Sequence, residues 1–380
     1  MIYFDNSATT KPFPEVLDSF LKVSSEYFGN PSSLHNFGGL AEKLLNQARS
    51  QAAKLLSVQP NEIYFTSGGT EGNNLAIKGT AFANQKSGRH LITTTIEHPS
   101  VRESMKQLES FGFDVTEVPV DSSGRVDVKT IENAIREETI LVSVMHVNNE
   151  VGTIQPIKEI GQLLRKYPRI RFHVDHVQGI GKVPLDLNDC SIDLCSISAH
   201  KFHGVKGTGL LFVRDGVKIN PLLNGGGQEK NLRSGTENVA GAVSLAKALR
   251  MIMEIQDKES RHLNLVSRKL REGLSKIEGV VVNTPEIYAA PHIMNFSIPH
   301  LKSEVFVHAL EEKNIYVSTT SACSSKLKTL SGTLASMGMT EDRAGSAIRL
   351  SLSYTNTVGE ADAVLSAIQE TIEELRKVMK

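Results

Sequence analysis

An α/β fold built on a mostly parallel sheet is predicted by two features of this sequence. Short apolar, β-branched runs alternate with amphipathic helical stretches from about residue 60 to about residue 255, the pattern of βα units. Polar and glycine-rich clusters follow the ends of those runs, where parallel sheets place their ligands. The 380 residues exceed one small core at roughly 100–200 residues per domain, so a second, smaller unit is expected.

Each element has its own signal. Residues 38–57 place Leu40, Leu44, Leu45, Ala48, Ala52, Leu55 and Leu56 on one face at helical spacing. Ile63–Phe65 reads as a strand, Ser67–Gly69 as a turn, and Thr70 onward as a helix. The run "RHLITTT" is a strand ending in a loop at Pro99, and a helix over 101–110 and the strand "FDVTEVPV" follow. A helix over 127–137 leads to the strand "TILVSVM", and a helix over 156–166 leads to the strands "RFHVDHV", "IDLCSIS" and "GLLFV". Near residue 256 the texture changes to a long charged helical stretch, which would bridge to the second unit. That unit holds strands near 292–298 and 314–318 and a final helix opened by the capping box Thr357/Glu360.

Composition narrows the function classes. Lys plus Arg and Asp plus Glu both count 42, a formal charge of zero, which gives no broad attraction for nucleic acid or an anionic membrane. The three cysteines, Cys190, Cys195 and Cys323, are too few and odd in number for a disulfide framework, and point to a reducing compartment. The N-terminus lacks a basic region followed by an apolar core, so no signal peptide is expected. No apolar run approaches the roughly 18–20 residues of a membrane span. A cytoplasmic protein is expected.

Four clusters carry chemistry. Asp175 in "FHVDHVQ" and Lys201 in "SAHKFHG" each close a predicted strand of one sheet. A lysine there can form a Schiff base with an aldehyde cofactor, and a carboxylate can keep a pyridinium nitrogen protonated; a structural Lys–Asp pair or two unrelated surface charges is the other reading. "TSGGTEGNN", residues 66–74, combines glycines with Thr70 at a helix start, which makes either a phosphate cradle or a capped turn. It lacks the Gly-Lys-Ser/Thr of a nucleotide-binding loop. His98, at a further strand end, can stack on a flat ring or move protons, or be a satisfied structural histidine. His173 and Asp175 share a strand face while His176 takes the other, so no metal site is expected. Cys323 sits among small hydroxyl residues with Lys326 and Lys328 close by, the setting of either a reactive thiolate or an inert half-exposed thiol.

Taken together, "IYFDNSATT", "GNPSSLHNFG", "TSGGTEGNNLAIKG", "EHPSV", "MHVNNEVGTIQPI", "HVDHVQGIGK", "SAHKFHGVKGTG", "GGGQEKNLRSGTENV", "SACSS" and "IRLSLSYTNT" resemble, in order along the chain, the cysteine desulfurases of the NifS/IscS type. These belong to the class V group of aminotransferase-like enzymes dependent on pyridoxal 5'-phosphate. The resemblance implies transferase fold type I, with a large cofactor-binding domain over 14–257. A smaller α+β domain, made of 1–13 and 258–380, would carry the catalytic cysteine loop. It implies that Lys201 holds the cofactor, Asp175 pairs with its ring nitrogen, Gln178 bonds its phenolic oxygen and His98 stacks on the ring as a catalytic partner. Gly69, Thr70, Ser198 and His200 would hold the phosphate, with Thr236 arriving from a second subunit of a homodimer. Asn149 and Arg349 would bind the carboxylate of L-cysteine, and Cys323 would accept its sulfur as a persulfide. The sulfur would pass to an iron–sulfur scaffold or a tRNA-thiolation enzyme. A selenocysteine lyase or another class V aminotransferase is the alternative.

Three departures from the family pattern stand out. Thr319 and Thr320 precede Ser321 where a Ser-Gly pair is common, which predicts a stiffer loop. His176 replaces a small residue and is expected to act through packing. The chain ends at Lys380, just after its last helix, where longer members carry a scaffold-docking segment, so a different acceptor gains weight.

Overall fold

The computed structural model describes residues 1–319 and 331–378. The chain opens with strand β1 (Ile2–Tyr3) and helices α1 (Pro14–Glu26) and α2 (Asn36–Leu55). Alternating units follow: β2 (Ile63–Thr66), α3 (Gly69–Asn84), β3 (His90–Thr94), α4 (Pro99–Ser110), β4 (Asp114–Val118) and α5 (Val128–Ala134). They continue with β5 (Thr139–Met145), α6 (Ile157–Leu164) and β6 (Arg171–Asp175). Strands β7 (Leu194–Ser198) and β8 (Gly209–Val213) come next without an α-helix between them. Helix α7 (Val239–Leu274) leads to β9 (Val281–Val282), β10 (Ile293–Ser297), α8 (Ser303–Glu312), β11 (Ile315–Tyr316) and β12 (Ser318–Thr319). The last elements are α9 (Gly332–Ser336), α10 (Glu341–Gly345), β13 (Ala347–Ser351) and α11 (Val358–Val378).

The seven-stranded sheet runs in the order β2-β8-β7-β6-β5-β3-β4. Its pairs from β7 through β4 are parallel, while β8 is antiparallel to both β7 and β2. The expected mostly parallel α/β sheet is therefore present, with one reversal at β8, which the chain reaches from β7 through residues 199–208. β3, β5, β7 and β8 are buried along their whole length, as a sheet covered on both faces requires.

Two cores meet along α7. Leu245, Ala248, Leu249 and Ile252 of its first half pack on the sheet with Val174, Ile197 and Phe212. Leu263, Val266, Leu270 and Leu274 of its second half join a separate cluster with Phe4, Phe296, Leu350 and Ile368. The charged stretch expected to bridge two units is thus the second half of one continuous helix, about 54 Å long at 1.5 Å per residue. Each large apolar side chain buried in these cores contributes about 1.5–3 kcal/mol. β12, β13, β10 and β9 form an antiparallel sheet beside the second core.

Local signals explain several boundaries. Thr357 and Glu360 form the reciprocal capping box: Glu360 N–H donates to Thr357 Oγ1 at 3.1 Å and Thr357 N–H to Glu360 at 2.9 Å. Leu40, expected inside, is exposed, because Ala41 and Leu45 turn inward on α2 instead. Among the described residues no helix is long and apolar enough to cross a membrane.

Candidate active site

The carboxyl ends of β3, β5, β6 and β7 open onto one cavity of about 320 Å³. β6 ends at Asp175, and β7 ends at Ser198, followed by a single tight turn over Ala199–Lys201. The two strands are parallel neighbours, with Asp175 opposite Ser196. Parallel pairing therefore delivers both chemistry-bearing residues to the same sheet edge. Gly69, Thr70, His98, Asn149, Asp175, Gln178, Ser198, His200, Lys201 and Arg349 all line this cavity.

Lys201 points toward the N-terminal segment. Its Nζ donates to the carbonyls of Ser7 at 2.6 Å and Ala8 at 2.8 Å. Gln178 Nε2 donates to the same Ser7 carbonyl at 3.0 Å, while Gln178 Oε1 is buried without a partner among the described residues.

A chain of hydrogen bonds joins Asp175 to His98. Asn73 Nδ2 donates to Asp175 Oδ2 at 2.7 Å and to Ser100 Oγ at 2.9 Å. Ser100 Oγ lies 2.8 Å from His98 Nδ1, which also accepts the Ser100 N–H at 3.1 Å. With Nδ1 fixed as an acceptor, the neutral ring carries its proton on Nε2. Burial lowers the His98 pKa, opposed by the Asp175 charge and reinforced by Lys201 and Arg102. Asp175 is 6% exposed, and its Oδ1 accepts the Val177 N–H at 3.0 Å. Sequence reasoning missed Asn73 and Ser100; the only signal was their place beside the glycine turn and beside His98.

The turn before α3 forms a cradle. Gly68 has φ of +151°, a conformation side chains other than glycine's rarely adopt. A Cβ on Gly69 would meet Val177 Cγ2 at 2.7 Å and Ser198 Cβ at 3.5 Å. The first turn of a 16-residue helix thereby keeps its N–H groups open to an anion. His200 Nδ1 lies 3.2 Å from Thr9 Oγ1, and burial holds that imidazole down at about 4.

β13 brings Arg349 to the same cavity. Arg349 on β13 is 2% exposed. It donates through Nη1 to the Asn149 carbonyl at 2.9 Å, and through Nη2 to Asp5 at 3.0 Å and Ser318 Oγ at 2.9 Å. Its Nε is buried without a partner among the described residues. Asn149 thus meets Arg349 through its backbone. Two acidic side chains also line the cavity. Burial pushes Glu97 up to about 8, against hydrogen bonds from Thr94 and the Met145 N–H. Burial likewise raises Glu150, whose carboxylate accepts the Ser331 hydroxyl.

Other expected residues lie elsewhere. Thr236 lines a separate cleft with Ser67, Thr208 and Arg233, away from Lys201. His176 is buried and turned from Asp175, its Nδ1 2.9 Å from that of His146. Cys323, Thr320 and Ser321 lie outside the described residues.

The donor set fits pyridoxal phosphate. A buried carboxylate, an amine, an imidazole and an unpartnered amide oxygen surround one cavity, and a glycine cradle at a helix start suits its phosphate.

Comparison with known proteins agrees. A family model, Aminotransferase class-V, matches residues 2–364. The chain is 46% identical over 380 residues to a NifS/IcsS protein homolog of Lactobacillus delbrueckii subsp. bulgaricus, covering 100% of this chain and 99% of that one. It is also 46% identical over 380 residues to cysteine desulfurase IscS of Clostridium botulinum, covering 99% and 96%. A solved NifS-like protein superposes with a TM-score of 0.93 at 41% identity, over 98% of this chain and 99% of its own. The chain belongs to the class-V aminotransferase family, whose members depend on pyridoxal 5'-phosphate.

Proposed function

We propose that this protein is a cysteine desulfurase, converting L-cysteine to L-alanine and passing the sulfur on as a persulfide. The observation that carries this reading is the single cavity in which Lys201, Asp175 and His98 face Arg349, in a chain similar along its whole length to proteins named for that activity.

Asp175 would hold the cofactor's ring nitrogen, with Asn73 and the Val177 N–H keeping its carboxylate in place. Gln178 would meet the phenolic oxygen and His98 the ring face. Gly69, Thr70, Ser198 and His200 would hold the phosphate. When bound, pyridoxal phosphate draws electrons from the substrate's α-carbon. Arg349, which lines the cavity with Asn149, would bind the substrate carboxylate, and a planar guanidinium suits that partner. Lys201 Nζ removes the proton from Cα, and the His98 imidazole is placed to carry protons within the cavity. Cys323, as thiolate, would attack the substrate sulfur: an S–S bond forms, the C–S bond breaks, and the carbon side takes up protons to leave as alanine.

Finer points belong to the same reading. A homodimer, with Thr236 of each subunit completing the other's phosphate site, is supported by Thr236 lining a cleft other than its own chain's cavity. The separate core clusters support the division into 14–257 and 1–13 with 258–380. Cys190 and Cys195 are free thiols, which fits a cytoplasmic setting. The acceptor is a protein thiol on an iron–sulfur scaffold or a tRNA-thiolation enzyme.

The test is incubation of holoprotein with L-cysteine and a reductant, without any 2-oxo acid. Alanine and sulfide should form in equal amounts, and Cys323→Ala should abolish both while keeping the cofactor's visible absorbance. Amino transfer to a 2-oxo acid with Cys323 dispensable would reverse the reading in favour of an aminotransferase.

A further inference from the structure

The turn after β6 touches Lys201 from two sides. It spans residues 176–183 and is closed by bonds from Ile180 N–H to His176 O at 3.1 Å and from Val183 N–H to Gly179 O at 2.8 Å. Tyr354, from beyond β13, donates to Gly181 O at 2.8 Å and ties the turn to the second unit. At its start, Gln178 shares the Ser7 carbonyl with Lys201 Nζ. At its end, Lys182 Nζ donates to the backbone carbonyl of Lys201 at 2.7 Å. One turn thus grips the side chain of Lys201 through Ser7 and its main chain directly.

Lys182 is an unusual group to bury. It is 7% exposed, and among the described residues no carboxylate forms an ion pair with it. The titratable groups that feel its charge are His176 in the same turn, His203 after the Lys201 turn, His292 before β10, and Lys201 itself. Burial pushes all three imidazoles down, so they stay neutral and supply no counter-charge. Burial and the Lys201 charge pull Lys182 down to about 7. A chain that wanted only a donor to a carbonyl would not need an ammonium here, since a neutral amide does that without the cost of burying a charge.

We propose that Lys182 is a positioning residue for Lys201: its bond to the Lys201 carbonyl anchors that backbone and, when Lys182 is an ammonium, holds a like charge one residue's length from the lysine nitrogen, so that this nitrogen gives up its proton more readily. The proposal rests on Lys201 being the cofactor lysine. The repulsion acts on whichever proton Lys201 carries, and it needs no contact with substrate or cofactor.

The test is a pH titration of the visible absorbance of holoprotein. Lys182→Gln keeps a donor for the carbonyl and removes the charge; Lys182→Arg keeps both. Lys182→Gln should move the absorbance midpoint to higher pH by at least about half a unit, while Lys182→Arg stays near wild type. Cofactor content and melting temperature are read in the same samples to confirm that the variants are loaded and folded. A Lys182→Gln midpoint equal to wild type overturns the proposal. If Lys182→Gln fails to load or fold, Lys182→Arg decides: a midpoint shifted upward despite the retained charge overturns it, and an unshifted one supports it. Failure of the underlying reading looks different: borohydride would then attach no cofactor to Lys201 in wild-type protein.

Discussion

The two sides of Lys201 solve the problem of buried polarity in opposite ways. In front, toward the cavity, the Asp175 carboxylate is matched by a chain of hydrogen bonds: Asp175 to Asn73, Asn73 to Ser100, Ser100 to His98. Behind, His146, His176, His203 and His292 are pushed down by burial, and the last three feel the charge of Lys182. The front holds charges where a ligand's charges will meet them. At the back, among the described residues, no carboxylate pairs with Lys182. A paired network is worth more than its separate bonds, and an unpaired buried charge is sensitive to its surroundings.

Breaking the front should have the largest effect. Asp175→Asn removes the carboxylate that Asn73 and the Val177 N–H hold in place, and turnover should fall by at least about 100-fold, the scale of losing one preorganised electrostatic group; steady-state alanine formation measures it. Cutting the relay one step further out is milder. Ser100→Ala leaves His98 Nδ1 with only the backbone N–H of residue 100 and leaves Asn73 one acceptor short. An unmet buried donor costs about 1–3 kcal/mol, so kcat should drop about 5- to 150-fold with less change in KM. A Ser100→Ala enzyme with wild-type kcat would show that the relay does not act on His98.

The back should respond to pH in stability before it responds in rate. Burial holds His146 down at about 3, whereas in the unfolded chain it titrates near 6.5. Between those values the unfolded state binds more protons than the fold. Stability is therefore fully present above about 6.5 and declines as pH falls, by about 1.4 kcal/mol per pH unit for one such imidazole. Denaturant midpoints at pH 7.5 and 5.5 measure the slope. His146→Asn should flatten it by roughly that amount, and an unchanged slope would contradict a neutral back wall.

The α/β pattern, the glycine cradle and the Thr357/Glu360 cap were legible because their causes are local: periodicity, turn chemistry and a three-residue spacing. Asp175 and Lys201 were legible because parallel strands put their ends on one edge. The reversal at β8 was not, since nothing in "GVKGTG" says which way the next strand runs. The continuity of α7 was hidden by composition: its second half carries many charges, yet keeps Leu263, Val266, Leu270 and Leu274 at helical spacing. Asn73, Ser7 and Lys182 were invisible because their roles come from contacts far apart in sequence. Asn73 reaches Asp175 across 102 residues, and Ser7 meets Lys201 across 194. Glu97 stood next to His98 in plain view, but only the closing of the cavity over it makes its carboxyl hard to ionise.

The central claim is that Lys201 is the residue around which both sides are arranged. Borohydride reduction of the holoprotein followed by peptide mapping tests it directly. The account predicts the reduced cofactor on the peptide containing Lys201, and none on Lys182 even though its nitrogen lies 2.7 Å from the Lys201 carbonyl. Cofactor found on any other lysine, or released intact after reduction, would contradict it.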